Sequence, residues 1–202
     1  MNPQGYPRKI VLRDGREIVL RPMGREDASD LRTLFGNLSE TEKLFVRDDD
    51  VDPCLAIPWP KECDYDRVLP ILAKAAEKVV GLATLHHLNQ SWLTHVGNIR
   101  LTVSPGWRRA GLGSILVGEL FRHSLQAGLE KIVAEIVREQ VDVSLFYNSL
   151  GFHTEANLKG HFLDERGLKH DILIMSNDLK QLWKIWMEDY QRVHSEVGTG
   201  GR

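Results

Sequence analysis

Cysteine is scarce: the 202 residues include only Cys54 and Cys63. Their placement suits neither a metal-ligand pattern nor a disulfide framework, so a reducing cytosol is the expected compartment. Long apolar runs are lacking as well. No stretch approaches the roughly 18–20 residues that span a bilayer. The opening MNPQGYPRKIV has no apolar core of the kind a secretory leader carries. Neither sign of charge is in excess, because 26 Lys and Arg stand against 28 Asp and Glu, a formal net charge of −2. With no long basic run, neither a nucleic acid nor a membrane is an expected partner. What remains is an ordinary globular composition, 42% hydrophobic and 27% charged, sufficient for one domain with a sizeable core.

Hydrophobic periodicity lays out the elements. KIVLR and REIVLR flank Asp14-Gly15, which predicts a hairpin with a two-residue turn. Arg21-Pro22 ends its second strand, since proline has no N–H for a ladder. From Glu26 to Leu38, Leu31, Leu34, Phe35 and Leu38 recur at helical spacing. Ser39-Glu40-Thr41-Glu42 reads as a capping box opening a short second helix through Phe45. Residues 47–63 are expected to be irregular, with Asp48, Asp49, Asp50 and Asp52 followed by Pro53, Pro58 and Pro60. Three strands follow: 67–76, 79–88 after a tight turn near Glu77-Lys78, and 98–103. In the last, Ile99, Leu101 and Val103 share one face, with Asn98, Arg100 and Thr102 on the other. Leu112, Leu116, Leu120, Phe121 and Leu125 stripe a helix over 112–125, stopped by Gly128. A strand over 131–137 leads to a helix over 141–150 with Gly151 as its C-cap. Two strands, near 152–157 and 170–175, bracket a hydrophilic loop at 164–167. Leu179, Leu182, Trp183, Trp186, Met187 and Tyr190 then mark a terminal amphipathic helix. This order predicts an α+β, or mixed α/β, single domain around one sheet.

The segment with chemical content is Val103–Ser114, VSPGWRRAGLGS, which joins a strand directly to a helix. The free amides of a helix's first turn and its dipole attract an anion. Gly111 and Gly113 let the backbone approach that anion closely. Arg108 and Arg109 add charge-assisted contacts, each on the order of 1.5–3 kcal/mol when partly desolvated. A phosphate or pyrophosphate is therefore the expected ligand. Gly106 and Gly111 have P-loop spacing, but Leu112 occupies the position where that loop requires lysine. Leu116 stands where a dinucleotide fingerprint requires a third glycine or alanine.

Arg108-x-x-Gly111-x-Gly113, preceded by Val103-x-Pro105, resembles the acetyl-CoA-binding motif of the GNAT superfamily of N-acetyltransferases. Leu145-Phe146-Tyr147-Asn148-Ser149-Leu150-Gly151-Phe152 resembles that superfamily's second motif, a tyrosine four residues before Gly-Phe. RPMGREDASDLRTLF, near the start, is similar to the usual opening of such domains. The resemblance implies a mostly antiparallel twisted sheet, flanked by helices and splayed at a cofactor cleft. It assigns residues 9–178 to the domain, after an N-terminal extension (1–8) and before a C-terminal helix (179–195) and a disordered tail (196–202).

It also implies acetyl-CoA as co-substrate. The backbone of Leu101, Thr102 and Val103 would pair with pantetheine, while Arg108, Arg109, Ala110, Gly111, Leu112, Gly113 and Ser114 would hold the pyrophosphate. Gln140 stands where the family often has an asparagine bonding pantetheine, and Tyr147 matches the usual general acid. Family members commonly place a glutamate near position 98; here the residues are Gly97-Asn98, and an amide accepts no proton at neutral pH. The base is then a relayed water or a histidine, with His95 the candidate beside the His86-His87 pair. The expected acceptor is a primary amine on a small molecule or a protein. Asp48–Asp52 would attract a cationic amine, and His161, Asp164, Glu165 and Asp171 resemble acceptor-lining positions. An exposed terminal Trp/Met stripe would make a homodimer. The alternative is a catalytically weak acyl-CoA-binding regulatory module.

Overall fold

A computed structural model describes residues 5–43, 46, 64–88, 92–164 and 166–179. The chain opens with β1 (Arg8–Val11) and β2 (Glu17–Pro22), passes through a 3-10 turn (Arg25–Asp27), and forms α1 (Ala28–Gly36) and α2 (Glu40–Lys43). Next come β3 (Val68–Ala75), β4 (Lys78–His87), β5 (Val96–Val103), α3 (Leu112–Gln126), β6 (Lys131–Val137), α4 (Val141–Ser149), β7 (His153–Leu163) and β8 (Lys169–Asp178). The α+β expectation holds. All eight strands join one sheet in the order β1-β2-β3-β4-β5-β6-β8-β7.

Local chemistry accounts for most boundaries. The capping box is present: Glu42 N donates to Ser39 Oγ at 3.3 Å, and Ser39 N donates to Glu42 Oε2 at 2.9 Å. The hairpin turn differs from the predicted two residues. Leu12 N bonds Arg16 O and Gly15 N bonds Leu12 O, with Gly15 at φ +84°. That is a three-residue turn, in which the glycine takes the left-handed position after a tight bend. The next hairpin turns at Ala76-Glu77, one residue earlier than expected, because Ala75 pairs with Lys78.

The two faces of the sheet bury separate cores. On one, Leu112, Leu116 and Leu120 of α3 pack with Ile71, Ala83, Leu85, Ile99, Ile132 and Ala134. On the other, Leu31, Leu34 and Phe35 of α1 cover Leu72 and Leu82. Truncating a fully buried leucine such as Leu116 to alanine would cost about 2–5 kcal/mol. Every strand pairing is antiparallel except β5 with β6. That parallel pair runs for three residues only, Val96↔Lys131 to Asn98↔Val133. Beyond it the two strands part, and this gap positions the site.

Residues 47–63, with the aspartate run and both cysteines, lie outside the described residues. So do Leu44-Phe45, Glu165, the stripe from Leu182 onward and the tail. Leu179, the first residue of the expected terminal helix, is helical and buried.

Candidate active site

β5 ends at Val103, and Pro105–Trp107 forms a 3-10 turn. Arg109 then adopts φ +62°, and Gly111, at φ +89°, caps α3. A non-glycine residue in the left-handed region costs on the order of 1–3 kcal/mol, and such residues gather at functional sites. The first closed amide of α3 is that of Ile115, which bonds Gly111 O at 3.1 Å. The six amides from Arg109 to Ser114 have no hydrogen-bond partner among the described residues. Arg108 does not extend toward them. Its Nε donates to Val103 O at 3.0 Å, and its Nη2 pairs with Glu42 Oε1 at 2.6 Å. It braces the turn against β5 and α2. Arg109 is exposed and has no ion-pair partner among the described residues. Open amides, a helix dipole and an uncompensated cation are together the features that attract an anion.

At the other end of the gap stands a carboxylate. Asn98, the last residue of β5 paired to β6, donates from Nδ2 to Glu135 Oε1 at 3.1 Å. The buried Asn98 Oδ1 has no partner among the described residues. Asn98 sits opposite His86 in the β4–β5 register, and His86 shares its face with Leu82 and Thr84. Asn98 and Glu135 therefore occupy the α1 side of the sheet, away from α3.

α4 closes the mouth of the gap. A Cβ on Gly113 would meet Phe146 Cζ at 3.2 Å and Leu101 Cδ2 at 3.4 Å, so glycine there lets α3, α4 and β5 converge. Tyr147 is 4% exposed and stands edge-on to Phe146 and Phe152, with ring centroids 5.4 and 4.9 Å away. Burial pushes its hydroxyl well above the ordinary tyrosine range, so it keeps its proton at neutral pH. Gln140 caps α4 with its backbone, its carbonyl accepting from Val143 N and Ser144 N at 3.1 Å.

The sequence pattern of the acetyltransferase (GNAT) family matches residues 37–152. The chain belongs to the GNAT acetyltransferase family. No curated protein matches it by sequence. Among solved structures, the GNAT domain of S. lividans PAT superposes with a TM-score of 0.69 at 16% identity, covering 88% of this chain and 99% of that one. The yncA protein of Salmonella typhimurium, solved with its cofactor acetyl-CoA, gives 0.64 at 19%, covering 80% and 94%. A spermidine N-acetyltransferase chimera of Vibrio cholerae SpeG and hSSAT gives 0.64 at 18%, covering 83% and 98%. At these identities the likeness speaks for the GNAT fold alone.

Leu101, Thr102 and Val103 lie on β5 beyond its last pair with β6, the turn residues Arg108–Ser114 follow them, and Gln140 and Tyr147 belong to the cap and the body of α4. The structure does not bring His95 to the gap. His95 precedes β5 at the end farthest from the turn, where its carbonyl accepts from Glu130 N and Lys131 N. His95 borders a separate hollow of about 410 Å³ with Lys131, His153 and Glu155. His86 bonds Thr84 Oγ1 at 2.9 Å, and burial holds His87 below the ordinary histidine value. Among the described residues no three His, Cys, Asp or Glu side chains form a metal-binding group. Two of the residues expected to line the acceptor site instead tie down the β7–β8 hairpin. Asp164 Oδ1 accepts from the amides of Arg166 and Leu168, and Asp171 binds Arg138 and Gly160 N.

Sequence reasoning missed Glu135. A signal was present, because Ile132, Ala134 and Ile136 alternate with Val133 and Glu135. One carboxylate therefore faces away from the α3 core in a strand whose other charge, Lys131, is its first residue.

Proposed function

We propose that the protein is an N-acetyltransferase that moves acetyl directly from acetyl-CoA to a primary amine of a small molecule or a protein. The observation that carries this reading is the run of six open amides beside Arg109, set at the mouth of a strand gap in a GNAT fold. Those amides and Arg109 hold the pyrophosphate. The edges of Leu101–Val103 freed by the gap pair with pantetheine, assisted by Gln140. The yncA neighbour solved with acetyl-CoA supports the co-substrate. The spermidine N-acetyltransferase neighbour supports an amine acceptor. The scarcity of cysteine, two in the chain, supports a cytoplasmic setting.

In the reaction, the neutral amine attacks the thioester carbonyl and the C–S bond breaks. Glu135, held by Asn98, takes the nitrogen proton in place of His95. The nitrogen becomes a far stronger acid once it has bonded to carbon, so a carboxylate can take its proton. Tyr147, still protonated, supplies a proton to the departing sulfur. Steady-state CoA release with a panel of amines tests both roles. Tyr147→Phe is expected to lower kcat about 100-fold with acetyl-CoA affinity nearly unchanged, and Glu135→Gln to lower kcat/KM. An unaltered rate removes the residue concerned. Tight acetyl-CoA binding without turnover on any amine would instead favour a regulatory acyl-CoA-binding module.

A further inference from the structure

The tip of the β1–β2 hairpin rests on the phosphate turn from outside. Arg13 N donates to Ala110 O at 3.3 Å. Arg16 Nη1 donates to Gly106 O at 2.9 Å, and its guanidinium lies 3.9 Å from the centre of the Trp107 ring. Asp14 neutralises Arg16 across 2.6 Å. These contacts fix the tip and leave one side chain uncommitted. Arg13 runs past Gly111, where a Cβ would lie 3.5 Å from its Nε. Arg16 has Asp14 and Arg108 has Glu42, whereas Arg13 has no acidic partner among the described residues. An unpaired guanidinium beside Gly111, at the positive end of α3, is repelled by that end until an anion lies between them. The backbone bond to Ala110 nevertheless keeps Arg13 against the turn.

We propose that Arg13 is a further cationic ligand of the CoA phosphates, delivered by the N-terminal hairpin. This rests on the acetyl-CoA reading above. The chemistry recognised is a phosphate, either of the pyrophosphate or at the 3′ position of the ribose.

Calorimetric titration of CoA and 3′-dephospho-CoA into the full chain and its Arg13→Ala, Arg13→Lys and Lys9→Ala variants tests it. Arg13 and Lys9 are both exposed, so each variant should fold with the parent's Tm. Arg13→Ala is expected to weaken CoA about tenfold, Arg13→Lys to regain part of the loss, and Lys9→Ala, on the same hairpin, to bind normally. A loss confined to CoA assigns Arg13 to the 3′-phosphate; an equal loss with dephospho-CoA assigns it to the pyrophosphate. Parental CoA affinity in Arg13→Ala overturns the Arg13 assignment and leaves the CoA reading standing. A matching loss in Lys9→Ala overturns it as a general charge effect. A parent chain that binds no CoA overturns both.

Discussion

At its N-terminus α3 presents amides with no partner among the described residues, while two turns further on the same helix buries Glu119 and His123 in a polar network closed except at His123 Nδ1. There, Tyr6 donates to Glu119 Oε2 at 2.9 Å, Arg122 Nη2 donates to the same oxygen at 3.0 Å, and Arg8 pairs with Glu119 Oε1. Arg122 also reaches His123 Nε2 at 2.9 Å. A guanidinium only donates, so Nε2 is the acceptor and the ring proton sits on Nδ1. The contrast separates two uses of polar groups. Buried polar groups contribute stability when they bond each other, and amides left open at a helix end are free to take a ligand in place of water. The N-terminal segment reaches both ends, with Tyr6 and Arg8 on the network and Arg13 and Arg16 on the turn.

Breaking the closed end should have the largest effect. Glu119→Ala removes the carboxylate shared by Tyr6, Arg8 and Arg122 and is expected to destabilise the fold by about 3 kcal/mol in urea unfolding, with CoA affinity per folded molecule unchanged. Acid attacks the same network. Burial and the Arg122 charge push the His123 pKa down to about 4, so the unfolded chain takes up a proton first as pH falls. Stability from neutral His123 is thus full above the unfolded pKa and is lost between about pH 6.5 and 4, on the order of 3 kcal/mol. His123→Gln should remove that part of the slope, and identical pH profiles for the two proteins would contradict it. At the open end, Ser114→Asp should leave Tm unchanged or slightly raised, because an acid in a helix's first turn is favourable. It should nevertheless weaken acetyl-CoA binding by about 10–100-fold.

The open end was legible in the sequence because its chemistry is local. Pro105, Gly111 and Gly113 at fixed spacing between a strand and an apolar stripe specify a turn of open amides without any distant contact. The eight strands were legible as well, but not all their lengths. β7 and β8 run to Leu163 and Asp178, well past the expected ends at 157 and 175. β7 is mostly exposed and polar, so little alternation marks it, and pairing with β8 supplies the order that its sequence conceals. The Asn98–Glu135 contact was not legible. It joins residues 37 apart through the register of β5 against β6, and neither strand's own pattern encodes that register. His95 looked eligible for the opposite reason: closeness to Asn98 in sequence says nothing about which end of β5 meets the gap.

The most direct test is a calorimetric titration of acetyl-CoA into the parent chain and Ser114→Asp, with Tm measured on both. Saturable one-to-one binding by the parent, weakened by at least about tenfold in an equally stable variant, is the expected result. Equal affinity in the two proteins would show that the first turn of α3 does not hold the pyrophosphate.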